Sequence, residues 1–141
     1  MMKFLYGLIL VFSAFILPVT GQVPDSAKYK SLIPYDFHLQ YLMTDSAILI
    51  DVREPFEFKH NRIRYAINTP SSGNLEKAAD TLNPELSYFL YCSSGFRSPN
   101  TAEKLYEKGF RKLYNLEGGI VAWKKDKMPV QKGRVRKAKK Q

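Results

Sequence analysis

Cysteine is nearly absent from this chain: Cys92 is the only one among 141 residues. That excludes an intrachain disulfide, and it excludes a Cys-x-x-Cys redox couple, which needs a resolving thiol beside the attacking one. Histidine is almost as scarce, and the two present, His38 and His60, read as surface residues rather than bases. There is no visible internal repeat, and no apolar run reaches the ~20 residues of a typical membrane span. The longest, Phe4 to Leu17, falls short of that length. It follows a lone positive charge at Lys3 and leads into Pro18-Val19-Thr20-Gly21, the order of a secretory signal peptide with small residues at its cleavage site. Residues 1–21 are therefore expected to be removed, leaving a periplasmic or secreted chain that begins near Gln22 and has no stable membrane insertion. An uncleaved N-terminal membrane anchor is the alternative. No cysteine lies near that point, which excludes lipidation there.

Acidic residues are missing from positions 131–141, where Lys132, Arg134, Arg136, Lys137, Lys139 and Lys140 supply most of the formal charge of +9. With that tail and Lys3 set aside, basic residues exceed the 13 acidic ones by only two. An exported chain seldom meets nucleic acid, so the segment reads as a solvated, disordered basic tail and no nucleic-acid partner is expected.

What the chain does contain is organised around Tyr88-Phe89-Leu90-Tyr91-Cys92-Ser93-Ser94-Gly95-Phe96-Arg97-Ser98-Pro99. The apolar run 88–91 lacks alternation, as in a strand buried on both faces. Ser98-Pro99 predicts a helix start, with Ser98 as the cap, and Ala102, Leu105, Tyr106 and Gly109 share one face of that helix. A strand, a tight loop and a helix start bring amides and the positive end of a helix dipole to Cys92, which favours its thiolate.

The same pattern recurs along the chain. Leu32-Ile33 predicts a short strand, and 34–43 a helix with Phe37, Tyr41 and Leu42 inward. Ala47-Ile48-Leu49-Ile50 predicts a buried strand ending at Asp51-Val52-Arg53-Glu54-Pro55. Residues 56–60 read as a short helix, 66–68 as a strand, 75–82 as a helix, 112–116 as a strand, and 120–125 as a helix with Trp123 inward. Alternating strands and helices predict an α/β domain, a parallel sheet with helices on both faces. Ligands of such sheets sit beyond the C-terminal strand ends, where Asp51, Cys92 and Glu117 fall.

These residues resemble a known family, the single-domain rhodaneses, which are sulfurtransferases. The resemblance rests on Leu49-Ile50-Asp51-Val52-Arg53-Glu54, on Ala66-Ile67-Asn68, on the loop Cys92 to Arg97 with Ser98, and on Tyr114-Asn115-Leu116-Glu117-Gly118-Gly119-Ile120 with Ala122-Trp123, in that order. It spans residues 30–130, leaving 22–29 as an irregular lead-in. It implies a rhodanese-like three-layer fold. It also implies a thiolate that takes a sulfane sulfur from a thiosulfate-like donor, becomes a persulfide, and passes the sulfur to a thiophilic acceptor such as cyanide or a thiol, a protein thiol included.

By this resemblance Cys92 is the nucleophile. Arg97, Ser93, Ser94, Gly95 and Phe96 bind substrate, Asp51, Arg53 and Ser98 brace the site, and no metal or cofactor takes part. Two departures from the family pattern stand out. Ser93 occupies the place where many sulfurtransferases carry a basic residue, leaving Arg97 as the main local cation. Asn61-Arg62-Ile63 replaces the usual Gly-His-Ile, with Asn61 expected to supply the left-handed backbone of that turn. Two rivals remain. A cysteine phosphatase or arsenate reductase needs five residues between Cys and Arg, where Ser93 to Phe96 provides four; a non-catalytic rhodanese-like binding module would have no use for both Cys92 and Arg97.

Overall fold

Residues 24–73 and 75–133 are described by the computed structural model. The proposed signal peptide and the tail beyond Gly133 lie outside these residues. In chain order the elements are α1 (Asp25–Lys28), β1 (Lys30–Leu32), α2 (Pro34–Met43), β2 (Ala47–Asp51), α3 (Pro55–His60), β3 (Asn61–Arg62), β4 (Ile67–Asn68), α4 (Leu75–Ala79), β5 (Ser87–Tyr91), α5 (Arg97–Glu107), β6 (Leu113–Leu116), α6 (Gly119–Lys125) and β7 (Gln131–Lys132). Five strands form one sheet in the order β1-β6-β5-β2-β4, every neighbouring pair parallel. This is the expected α/β architecture.

β5 lies at the centre, and all five of its residues are buried. Its side chains alternate between two cores, which is why its sequence shows no polar face. Tyr88 and Leu90 join Ile50, Ala102 and Leu105 on the side covered by α5. Phe89 and Tyr91 join Phe37, Leu49, Ile120 and Trp123 on the side covered by α2 and α6. Each such large side chain taken from water stabilises the domain by roughly 1.5–3 kcal/mol, and aromatic geometry adds to this: Phe89 stacks on Tyr114 at 4.3 Å and meets the edge of Phe37 at 5.3 Å. The β2–β5 register pairs Asp51 with Tyr91, so both strands end at one level and Cys92 emerges beside Val52.

Several local expectations are corrected. The lead-in is not wholly irregular, since α1 forms one helical turn in which Lys28 Nζ donates to Asp25 at 3.1 Å. β1 ends before Ile33, because that residue precedes Pro34 and takes the extended conformation that opens α2. Leu42 is 66% exposed; Phe37 and Tyr41 are four residues apart and define the buried stripe, and Leu42 lies a further 100° or so around the helix. α4 stops at Ala79, just before Thr81 Oγ1 donates to the Ala78 carbonyl at 2.7 Å, a bond that competes with the helical pattern.

The tail segment begins with order: β7 pairs antiparallel with β3, and Arg62 Nη1 donates to the Gly133 carbonyl at 2.6 Å. Asn61 is extended within this pair, at φ −157°. The left-handed residue of that region is Tyr65, at φ 69°.

Candidate active site

Cys92 leaves the central strand buried, and the chain then folds back around its sulfur. Sγ accepts hydrogen bonds from the amides of Gly95 at 3.1 Å and Arg97 at 3.3 Å, and from the Ser98 hydroxyl at 3.4 Å. Burial by itself pushes the thiol up; the Ser98 hydroxyl and the amides of Ser98, Arg97 and Gly95 outweigh it and hold Cys92 below the ordinary thiol range. The thiolate is thus stabilised by neutral donors at the first turn of α5.

The loop depends on two close approaches that only glycine permits. Gly95 sits at φ 84°, and a Cβ there would come within 3.0 Å of the Gly118 amide nitrogen. A Cβ on Gly119, at φ 59°, would fall 2.6 Å from the Ser93 carbonyl carbon. That tightness lets the first amides of α6 reach the loop: Ile120 N–H donates to the Cys92 carbonyl at 2.9 Å and Val121 N–H to that of Ser93 at 3.0 Å. The loop is therefore held at its thiol by α5 and at its carbonyls by α6.

A residue not expected from the sequence completes the site. Glu57, in α3, receives both ends of the Arg97 guanidinium, Nη1 at 2.8 Å and Nη2 at 2.9 Å. It also accepts from the Ser93 hydroxyl at 2.6 Å and from the Glu54 amide at 3.0 Å, while Arg97 Nη2 reaches Ser93 Oγ at 3.0 Å. Arg97 is the main cause that brings the Glu57 carboxyl down to about 2. Glu57, in turn, raises Arg97 further above its ordinary value.

Asp51 and Arg53 form a separate pair beyond β2, buried to 0% and 3% exposure. Arg53 Nη2 meets Asp51 Oδ2 at 2.6 Å, Arg53 Nε and its own amide reach Oδ1 at 3.0 and 2.9 Å, and Nη2 also donates to the Asn61 carbonyl at 2.6 Å. Asn68 Nδ2 closes the cluster on the carbonyls of Asp51, at 3.1 Å, and Arg53, at 2.8 Å. These bonds tie the ends of β2 and β4 to the start of β3 and touch no atom of the Cys92 loop.

A model of the rhodanese-like domain matches residues 37–126 of the sequence. The chain belongs to the rhodanese-like domain family. It is 34% identical over 116 residues to the uncharacterized protein YqhL of Bacillus subtilis, covering 82% of this chain and 89% of that one. It is 28% identical over 94 residues to the thiosulfate sulfurtransferase GlpE of Glaesserella parasuis, covering 67% and 86%. The crystal structure of a rhodanese-related protein from Thermoplasma volcanium superposes with a TM-score of 0.65 at 31% identity, covering 73% of this chain and 98% of that one. The fold and family expected from the four motifs are those observed.

Within this rhodanese-like domain the predicted site residues separate into groups. Cys92, Gly95, Arg97 and Ser98 converge on the sulfur, Arg97 through its amide. Ser98 does not cap α5 as expected; the helix starts two residues earlier, with Phe96 at the cap position, and the Ser98 hydroxyl is spent on the thiol. Arg97, expected as the main local cation, is paired with the Glu57 carboxylate at 2.8 Å. The Ser93 hydroxyl turns to Glu57 and Arg97, whereas Ser94 and Phe96 are exposed on the loop. Glu117 contributes its amide to the Leu32 carbonyl at 2.9 Å, and its side chain is exposed. The only trace of Glu57 in the sequence is a carboxylate two residues after Pro55, which reads as an ordinary helix-start residue.

Proposed function

We propose that this protein is a sulfurtransferase that carries a sulfane sulfur on Cys92. The observation that carries this reading is the seating of Sγ among two amides and a hydroxyl, 3.1–3.4 Å away, at the start of α5. In the first half-reaction the thiolate attacks the outer sulfur of a donor, for example thiosulfate. The Cys92 S–S bond forms as the donor S–S bond breaks, and sulfite leaves with the electron pair. In the second, a thiophilic acceptor such as cyanide or a thiol, small or on a protein, takes the outer sulfur and returns the Cys92 thiolate. The persulfide is anionic, and a loop whose donors converge at the start of a helix favours an anion there; removing one donor from a comparable anion hole costs about 3 kcal/mol in the transition state. Neither half-reaction calls on a metal or cofactor. Thiosulfate-type donors fit the name of the Glaesserella parasuis relative. The N-terminal sequence favours action outside the cytoplasm.

Intact mass tests the reading. The protein incubated with thiosulfate, polysulfide or a thiosulfonate is expected to gain one sulfur, roughly 32 Da, on wild type and not on Cys92→Ala, and to lose it to cyanide with release of thiocyanate. Absence of the gain with every donor overturns it and leaves a binding module. Hydrolysis of a phosphate ester by the same preparation would favour the phosphatase rival.

A further inference from the structure

The Glu57–Arg97 pair bears on which donor the site takes, a question the sulfurtransferase reading leaves open and on which this inference rests. Arg97 is the cation of the Cys92 loop, and both of its terminal nitrogens are occupied by Glu57. The hydroxyl of Ser93, next to the nucleophile, is turned to the same carboxylate. The cleft alongside, lined by Ser71, Arg97, Asn100, Glu103, Lys104 and Glu107, carries equal numbers of cations and carboxylates before Glu57 is counted. Arg53 is buried against Asp51. The amides of Gly95 and Arg97 are spent on a single sulfur atom. Among the described residues, no net positive charge remains beside that sulfur to offset the second charge of a dianion. The loop instead exposes an aromatic side chain, Phe96, at 79%, and Phe56, next to Glu57 in α3, is 71% exposed.

We propose that Glu57 sets donor specificity, making the site selective for singly charged organic sulfane donors, R–SO2–S⁻ or R–S–S⁻, over the thiosulfate dianion. For a thiosulfonate the step balances without an added oxidant or reductant. Cys92–S⁻ and R–SO2–S⁻ give Cys92–S–S⁻ and R–SO2⁻: one S–S bond forms, one breaks, and the sulfinate leaves with the electron pair. Glu57 touches neither sulfur; it is a positioning residue that acts through Arg97 and Ser93.

Benzenethiosulfonate and thiosulfate make a matched pair, since both offer a sulfane sulfur on a sulfonyl group and they differ by one charge and a phenyl ring. Each is assayed on the full chain by kcat/KM and divided by its rate with a simple free thiol. Wild type is expected to favour benzenethiosulfonate by about tenfold. Its kcat/KM for thiosulfate should be nearly flat between roughly 0.01 and 0.1 M salt, where the Debye length falls from about 30 to about 10 Å. Glu57→Gln should raise kcat/KM for thiosulfate about tenfold through KM, make it fall with salt, and change that for benzenethiosulfonate much less.

Equal normalised rates for the two donors in wild type, or a steep fall with salt for wild-type thiosulfate turnover, overturns the inference; both are read without any variant. A Glu57→Gln enzyme that loses both donors in parallel shows a loop-building role only and overturns it as well. Loading of Cys92 by neither donor nor by polysulfide, while the free thiol reacts, is the separate result that overturns the sulfurtransferase reading itself.

Discussion

Two arginine–carboxylate pairs stand at the ends of neighbouring central strands, and they are built for different ends. Asp51 and Arg53 are two residues apart, enclosed, and bonded on every side by backbone, so that the pair is part of the scaffold beyond β2. Glu57 and Arg97 are 40 residues apart, join α3 to the reactive loop, and keep 20% and 32% of their side-chain surface in water. An enclosed pair cannot lose a partner without stranding a charge in a poor dielectric. A pair that keeps part of its surface in water can, because water screens whichever charge is left. Chemically similar contacts thus hold the fold in one place and set the charge of the site in the other.

That contrast breaks most directly at Asp51. Asp51→Ala leaves Arg53 buried and unpaired, and we expect a loss of about 3–5 kcal/mol in denaturant unfolding; a loss below about 1 kcal/mol would place the pair with ordinary surface bridges. Gly119→Ala comes next, since it combines a positive φ with a collision against the Cys92–Ser93 backbone. A cost of about 1–3 kcal/mol is expected, along with slower sulfur loading as the loop moves off α6.

Ser98→Ala removes the hydroxyl from the thiol. It should cost about 1 kcal/mol of stability and shift the pH midpoint of Cys92 alkylation upward, from a wild-type value below the usual ~8.5. An unmoved midpoint would mean that the amides alone hold the thiolate.

The smallest effect on stability is expected at Glu57. Glu57→Gln should cost less than about 1 kcal/mol near neutrality. Because the folded carboxyl lies at about 2 against an ordinary 4.5, its contribution is present above about 4.5 and is lost as pH falls toward about 2. The difference between wild type and Glu57→Gln should therefore shrink over that interval, and a difference that grew on acidification would contradict the pairing.

Much of this was legible in advance where the cause is local. The unbroken apolar runs before Asp51 and Cys92 mark strands covered on both faces, and Pro34 and Pro55 stand at the first helical positions of α2 and α3. Leu42 was misread because a ten-residue helix with a weakly amphipathic sequence leaves the centre of its buried stripe to its neighbours. β3 and β7 escaped notice because two-residue strands have no periodicity to read, and they exist only through each other. Ser98 looked like a cap because Ser before Pro is a common opening; whether the hydroxyl caps or turns inward depends on what lies beside it.

The amino-acid sequence alone carries the order strand, small-residue loop, helix around a lone cysteine, and with it the family, since apolar pattern, glycine and proline act within a few residues of themselves. Tertiary structure decided the electrostatics of the site. Glu57 meets Arg97 only because β2 and β5 pair in a register that ends both strands at one level, and the glycine turn before α6 reaches the loop only because α6 packs across the sheet through Ile120 and Trp123. Contacts between residues tens of positions apart depend on where whole elements dock, and no local pattern records that.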